Sequence, residues 1–340
     1  RVQRQRLKDY VLTDHLRSPE HFEAIVTVNK SMHNIFQYAE AMAPTDLPLL
    51  ITGETGVGKE LLAEAVHRAS QRTGPLVPVN IAGLDDAIFS DTLFGHRRGA
   101  FTGADHERRG LVEQASEGTL FLDEIGDLSP ESQVKLLRLL QESTYFQLGS
   151  DTPRRSSARI VAATNRSIIE LKGARNFRQD LFYRLEAHSL TIPPLRERKD
   201  DLALLVDHFL EEASRSMNKR KPFIPKEFFT LVSMYDFPGN VRELRGMVFD
   251  ALGRHRSGVL SLDSLREKIS GTKGPQAQAG APTPGALAFP HPLPSLREVE
   301  SALIGEALKR AHGNKSIAAS AIGITRQTLS NRMRSFLTPE

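Results

Sequence analysis

From about residue 23 to 195, short apolar runs alternate with longer amphipathic stretches. The runs Leu47–Thr52, Leu76–Val79, Thr119–Leu122, Arg159–Ala163 and Ser189–Ile192 have the length and apolar character of buried strands. Between them, Glu60–Ser70, Pro130–Glu142 and Gln179–Leu185 read as helices. Strands separated by helices predict a parallel sheet covered on both faces. Residues 196–270 keep helical periodicity without strand signals. Phe237-Pro238-Gly239-Asn240 interrupts them, and a new helix is expected at Val241.

Residues 1–22 are polar, with scattered Leu, Val and Tyr, and read as an exposed helix or linker. Arg1 in place of a starting Met is expected of a fragment, with an input domain upstream or control by a separate protein. Residues 271–294 hold six Pro and four Gly, and Lys273 is their only Lys, Arg, Asp or Glu. A segment of that composition buries too little apolar surface to order itself, and it reads as a linker. Helical periodicity returns through Leu296, Val299, Leu303 and Leu308. The expected organisation is therefore an α/β unit over 23–195, a helical unit over 196–270, the linker, and a small all-α domain over 295–340.

Composition narrows the function classes. The 340 residues contain no Cys, which excludes disulfides and thiolate-bound metal and fits a reducing cytoplasm. No apolar stretch approaches the roughly 20 residues that span a bilayer, so no membrane association is expected. The net charge of +4 permits nucleic-acid binding without demanding it.

The chemistry sits in three places. Gly53-Glu54-Thr55-Gly56-Val57-Gly58-Lys59 follows a predicted strand and opens a predicted helix. Glycines at that spacing let backbone N–H groups turn around phosphate oxygens, and Lys59 reaches the terminal phosphates. The next residue is Glu60, where Ser or Thr usually ligates magnesium. Asp123 and Glu124 end the Thr119–Leu122 run, at the carboxyl edge of a parallel sheet, where ligands bind. Asp123 is placed to hold magnesium and Glu124 to polarise an attacking water. The plainer reading of such an acidic pair is a helix-capping turn.

The third place is the C-terminal domain, where residues 309–334 carry six Lys or Arg and no Asp or Glu. Ala318 and Ala319 allow close helix approach, Gly323 suits a turn, and Ile324 plugs a core. Thr325 is a good N-cap for a helix bearing Arg326, Gln327, Thr328, Asn331, Arg332 and Arg334. Those side chains, with Lys315 before them, mix phosphate binders and base-edge readers, as a recognition helix requires. The plainer reading is a basic, solvated helical hairpin.

Gly99-Ala100-Phe101-Thr102-Gly103-Ala104 is the most specific string. Bottom-up it is a mobile loop with one apolar anchor, Phe101, or a turn with Phe101 folded into the core. GAFTGA resembles the signature loop of the sigma-54-dependent AAA+ activators. Leu93-Phe94-Gly95-His96 before it, the stretch Gly118–Ile125 after it and the phosphate loop ending in Lys59-Glu60 are similar to that family too. Arg97 departs from it, standing where the family usually has Glu.

The resemblance implies an AAA+ P-loop NTPase with a helical lid, a Fis-type helix-turn-helix, ATP and Mg2+ as cofactors, and a hexameric ring. It also implies sigma-54 RNA polymerase and upstream enhancer DNA as partners. Gly99–Ala104 would grip sigma-54, chiefly through Phe101 and Thr102. Asn80 resembles a switch asparagine that pairs with Glu124. Thr164 and Asn165 resemble the first sensor, although by itself Asn165 reads as a strand cap. Arg178 and Arg184 resemble arginine fingers, Arg242 resembles the second sensor, and Ile25 and Val26 would touch adenine. Two other readings stand beside this one. One is a nucleotide-sensing DNA-binding regulator or repressor without sigma-54 remodelling, and the other is a general AAA+ unfoldase or helicase.

Overall fold

The computed structural model describes residues 16–174, 176–255, 260, 296–311 and 314–337. The expected linker and most of the expected N-terminal segment lie outside them. The chain divides into two compact units, at Lys273/Gly274.

The first unit is built on a five-stranded sheet of order β2-β5-β8-β1-β9, comprising β1 (Leu49–Thr52), β2 (Leu76–Asn80), β5 (Thr119–Asp123), β8 (Arg159–Thr164) and β9 (Ser189–Thr191). All pairings are parallel. The period of two along a strand sorts side chains between the faces. Leu50, Leu120, Leu122, Ile160 and Ala162 enter a core with the helices Asp86–Phe94, Pro130–Glu142 and Gln179–Glu186. Leu49, Ile51, Phe121, Val161 and Ala163 enter the opposite core with the helices Lys30–Met42 and Lys59–Ala69. Burial on both faces is why the central strands β1, β5 and β8 read as apolar runs, while the edge strands β2 and β9 are only partly buried.

Local chemistry sets the helix starts. Ser129 caps the Pro130–Glu142 helix by accepting from Ser132 N, with Pro130 at its first position. Asn29 caps Lys30–Met42 by accepting from Ser31 N and Met32 N. The segment before residue 23, read as exposed, ends on a buried side chain: Phe22 stacks on Phe36 at 4.9 Å.

Two short antiparallel pairs were not expected. They are β3 (Gly95–His96) with β4 (Arg108–Arg109), and β6 (Thr144–Tyr145) with β7 (Arg154–Arg155). Two-residue strands carry no periodicity to read.

The lid consists of the helices Leu202–Ser216, Lys226–Ser233 and Asn240–Arg254 around their own core, including Phe209, Phe228, Phe237 and Met247. The helix expected at Val241 begins one residue earlier, at Asn240.

The second unit contains the helices Leu296–Arg310, Lys315–Ala321 and Arg326–Leu337. Ile304, Ala307, Ala311, Ala318, Ala319 and Leu329 form its core, with Ile324 packed against it. Gly323 supplies the turn at φ +73°, and Thr325 Oγ1 accepts from Thr328 N at 3.1 Å, capping the last helix.

Candidate nucleotide site, surface loop and DNA-facing helix

The strand ends Thr52, Asn80, Asp123 and Thr164 line up along one sheet edge. The phosphate loop leaves β1 there and runs into the Lys59–Ala69 helix. Gly56 has φ +80° and a close neighbour: a Cβ on it would lie 2.4 Å from the carbonyl oxygen of Gly239 in the lid. Gly58 has φ +107° and open space where its Cβ would stand. Lys59 is only 7% exposed. Its Nζ donates to Gly53 O at 3.0 Å and stands 3.7 Å from Glu124 Oε1.

Asp123 Oδ1 accepts from Glu124 N at 3.0 Å. Glu124 holds φ +61°, a costly conformation for a side-chain-bearing residue. The Glu124 carboxylate accepts from Asn165 N at 3.1 Å. The expected pairing of Asn80 with Glu124 is not present. Asn80 Oδ1 accepts instead from Ala82 N at 2.9 Å, because the chain turns back just after β2 and offers that N–H first.

A cavity of about 660 Å³ collects Ile25, Val26, Thr55–Glu60, Asn80, Asp123, Glu124 and Arg242. Leu205, His208, Phe209 and Arg245 close it from the lid. Ile25 packs into the sheet core and Val26 into the lid core, which leaves the strap they form across the cavity's apolar end. Asn165 lines a neighbouring cavity of about 640 Å³ with Gly53, Glu54 and Arg196. Thr164 is buried, and its Oγ1 accepts from Arg166 N at 3.1 Å.

The expected fingers stand apart from both cavities. Arg178 forms two bonds to the Asp180 carboxylate, at 3.1 and 2.7 Å. Those bonds raise the Arg178 pKa and lower that of Asp180. Arg184 donates to Leu140 O at 3.3 and 3.1 Å, satisfying the last turn of the Pro130–Glu142 helix.

Several contacts of the site carried no sequence signal. Val241 N and Arg242 N both donate to Gly56 O, so the lid helix starts on the phosphate loop. Asn240 is fully buried; its Nδ2 donates to Glu54 Oε2 and Thr55 O, and its Oδ1 accepts from Leu195 N. Arg196 grips Glu54 through bonds of 2.8 and 2.6 Å, which hold that carboxyl below its usual range. The run Leu195–Asp201 is strongly charged, so in sequence it reads as solvated surface.

The Gly99–Ala104 loop closes on itself, with Gly99 N donating to Ala104 O and Ala104 N to Phe101 O. Phe101 is 48% exposed and meets His96 edge-on at 4.9 Å, so it is not folded into the core. His96 is anchored by Asp91 through Nδ1 and by the His106 carbonyl through Nε2. A second loop backs the first. His96 pairs with Leu148, and a Cβ on Gly149 would stand 2.8 Å from the Ala100 Cβ.

In the second unit, Arg326, Gln327, Thr328 and Asn331 are exposed on the last helix, and Lys315 is exposed on the helix before it. Thr328 shares its hydroxyl with Thr325 at 2.7 Å. Arg332 pairs with Glu300 at 2.5 Å. Arg334 lies on the same helix.

Comparison with known proteins agrees with this layout. Residues 25–191 match the sigma-54 interaction domain, 196–282 an AAA+ ATPase lid domain, and 295–336 the bacterial regulatory protein, Fis family. The transcriptional regulatory protein ZraR of Escherichia coli is 41% identical over 307 residues, covering 90% of this chain and 67% of its own. The nitrogen fixation protein VnfA of Azotobacter vinelandii is 39% identical, covering 91% of this chain and 58% of its own. The chain thus spans between somewhat over half and two thirds of those relatives. The crystal structure of NtrX from Brucella abortus in complex with ATP superimposes with a TM-score of 0.66 at 26% identity, covering 98% of this chain and 72% of that one. Among the described residues no helix is long and apolar enough to cross a membrane. The chain belongs to the sigma-54-dependent transcriptional activators, with an AAA+ core, its lid and a Fis-type helix-turn-helix.

Proposed function

We propose that the protein hydrolyses ATP to remodel sigma-54 RNA polymerase through Gly99–Ala104 while its C-terminal domain holds upstream double-stranded DNA. The observation that carries this reading is Lys59 and Glu124 in one cavity. A nearly buried ammonium there faces a carboxylate held by a backbone N–H. NtrX was crystallised with ATP on the same fold, which supports the same ligand here.

In this reading the Gly53–Glu60 turn receives the phosphates, with Lys59 offsetting their charge. Ile25 and Val26 meet the base, and Arg242 reports nucleotide occupancy to the lid. Glu124 orients a water and accepts its proton. Asn80, Thr164 and Asn165 respond to the terminal phosphate. Asp123 offers one carboxylate at the cavity wall. Among the described residues no cluster of three or more His, Asp or Glu stands ready for a metal. That donor set fits a magnesium ion that keeps phosphate oxygens and water as its other ligands. When bound, magnesium would neutralise charge developing on the phosphates.

Arg178 and Arg184 lie outside the cavity of their own chain, which fits fingers presented to a neighbour in a ring, most simply a hexamer. Residues 23–195 and 196–270 form the motor and its lid, 271–294 the tether, and 295–340 the DNA anchor, operating in the cytoplasm.

The deciding experiment is open-complex formation by purified sigma-54 polymerase on a cognate promoter. ATP is expected to support it, and a non-hydrolysable analogue is not. Equal opening with both would sink the coupling.

A further inference from the structure

The cavity has two ends made by distant parts of the chain, and one buried ion pair reaches both. Arg198 is 2% exposed, and Nη2 donates to the carbonyl of Val57, inside the phosphate loop, at 2.9 Å. Nη1 stands 3.8 Å from Asp201 Oδ2. Asp201 is fully buried and gathers the strap that follows Ile25 and Val26. Thr27 Oγ1 donates to it at 2.7 Å, Val28 N at 2.7 Å and Asn29 N at 3.1 Å.

A buried carboxylate with three donors and a guanidinium is costly to disturb, because each lost partner leaves charge unpaired away from water. The backbone of residues 27–29 is thereby held at a fixed distance from the phosphate loop. We propose that Asp201 is a positioning residue that, paired with Arg198, locks the base-side strap to the phosphate loop, so that nucleoside recognition depends on Asp201 and phosphate recognition does not. This rests on the nucleotide site proposed above. Arg198 lines the cavity beside Val57, whereas Asp201 does not line it. Asp201 acts through the backbone of 27–29 on Ile25 and Val26, and Arg198 acts through Val57.

The test compares two ligands on the full chain. ATP engages both ends of the cavity, and inorganic tripolyphosphate engages only the phosphate loop. Asp201→Asn is expected to weaken ATP roughly tenfold while leaving tripolyphosphate within about twofold. Thr27→Val removes one donor without stranding a charge, and is expected to produce the same selective loss to a smaller degree. Unchanged affinity for both ligands, or equal loss of both in a variant that still melts cooperatively, overturns the proposal. If Asp201→Asn does not fold, Thr27→Val decides alone, and absence of a selective loss overturns it. The Lys59→Ala variant separates the two levels. If it weakens neither ligand, the nucleotide site itself is wrong, and the link falls with it.

Discussion

Glu124 accepts the backbone N–H of Asn165 at 3.1 Å, across the ends of the adjacent strands β5 and β8. The Asn165 backbone therefore helps orient the carboxylate proposed to activate water. Glu124→Gln is expected to keep ATP binding and to lower turnover by at least about a hundredfold, since an amide accepts no proton. Lys59→Ala is expected to lose binding as well. Equilibrium binding beside steady-state hydrolysis separates the two, and turnover within a few-fold of the parent removes Glu124 from this role.

Arg178 and Arg184 are occupied within their own subunit, by Asp180 and by the Leu140 carbonyl. If they serve a neighbour's nucleotide, Arg178→Ala protein mixed with Lys59→Ala protein regains ATPase activity, because some interfaces pair an intact pocket with an intact finger. A titration of one variant into the other reads this directly. Mixtures that never exceed either variant alone defeat the shared-site model.

Thr102 sits in the exposed loop, outside both cavities. Thr102→Ala is expected to leave ATP hydrolysis near the parental rate and to abolish open-complex formation. Full opening by this variant would falsify the gripping role of the loop even if the motor assignments hold.

Arg326 and Asn331 are exposed on the capped last helix, whereas Arg332 is paired with Glu300. Arg326→Ala and Asn331→Ala are each expected to cost ~1–3 kcal/mol of specific DNA binding. ATPase activity should be spared. Operator affinity equal to the parent's points to another recognition surface.

Burial lowers the pKa of His67 and of His188 below the ordinary 6.5. In the unfolded chain both therefore bind protons at a higher pH than in the fold. Stability falls as pH drops through about 6.5 towards the folded values, before the carboxylates titrate. The melting temperature is expected to decline between about pH 7.5 and 5.5, and to decline less in His67→Gln with His188→Gln. An unaltered slope in the double variant assigns the effect elsewhere.

The sheet was legible because its central strands β1, β5 and β8 are buried on both faces and so read as apolar blocks. The phosphate loop was legible because only glycines allow that turn beside a helix start. The partner of Glu124 was not, since Asn80 and Asn165 both stand at strand ends and only the backbone path after each decides between them. Nor was the Leu195–Asp201 segment. Arg198 and Asp201 look like surface charge until the fold wraps the strap and the phosphate loop around them. The β3–β4 and β6–β7 pairs escaped because two residues cannot display a period.

The contact between Ala100 and Gly149 has a mechanical consequence. If the loop pushes on a partner as proposed, it must resist bending under load, and a lone glycine-rich loop is compliant. Clasped against the Leu148–Gly149 turn through backbone pairing and the close approach of Ala100 to Gly149, the tip has a second strut behind it. The strut springs from the end of the Pro130–Glu142 helix, the same end that Arg184 holds by the Leu140 carbonyl. A displacement of that helix would thus reach the tip as a stroke rather than be absorbed as flexure. A bulkier residue at either 100 or 149 would splay the two struts and, in the proposed reading, uncouple ATP hydrolysis from the loop tip.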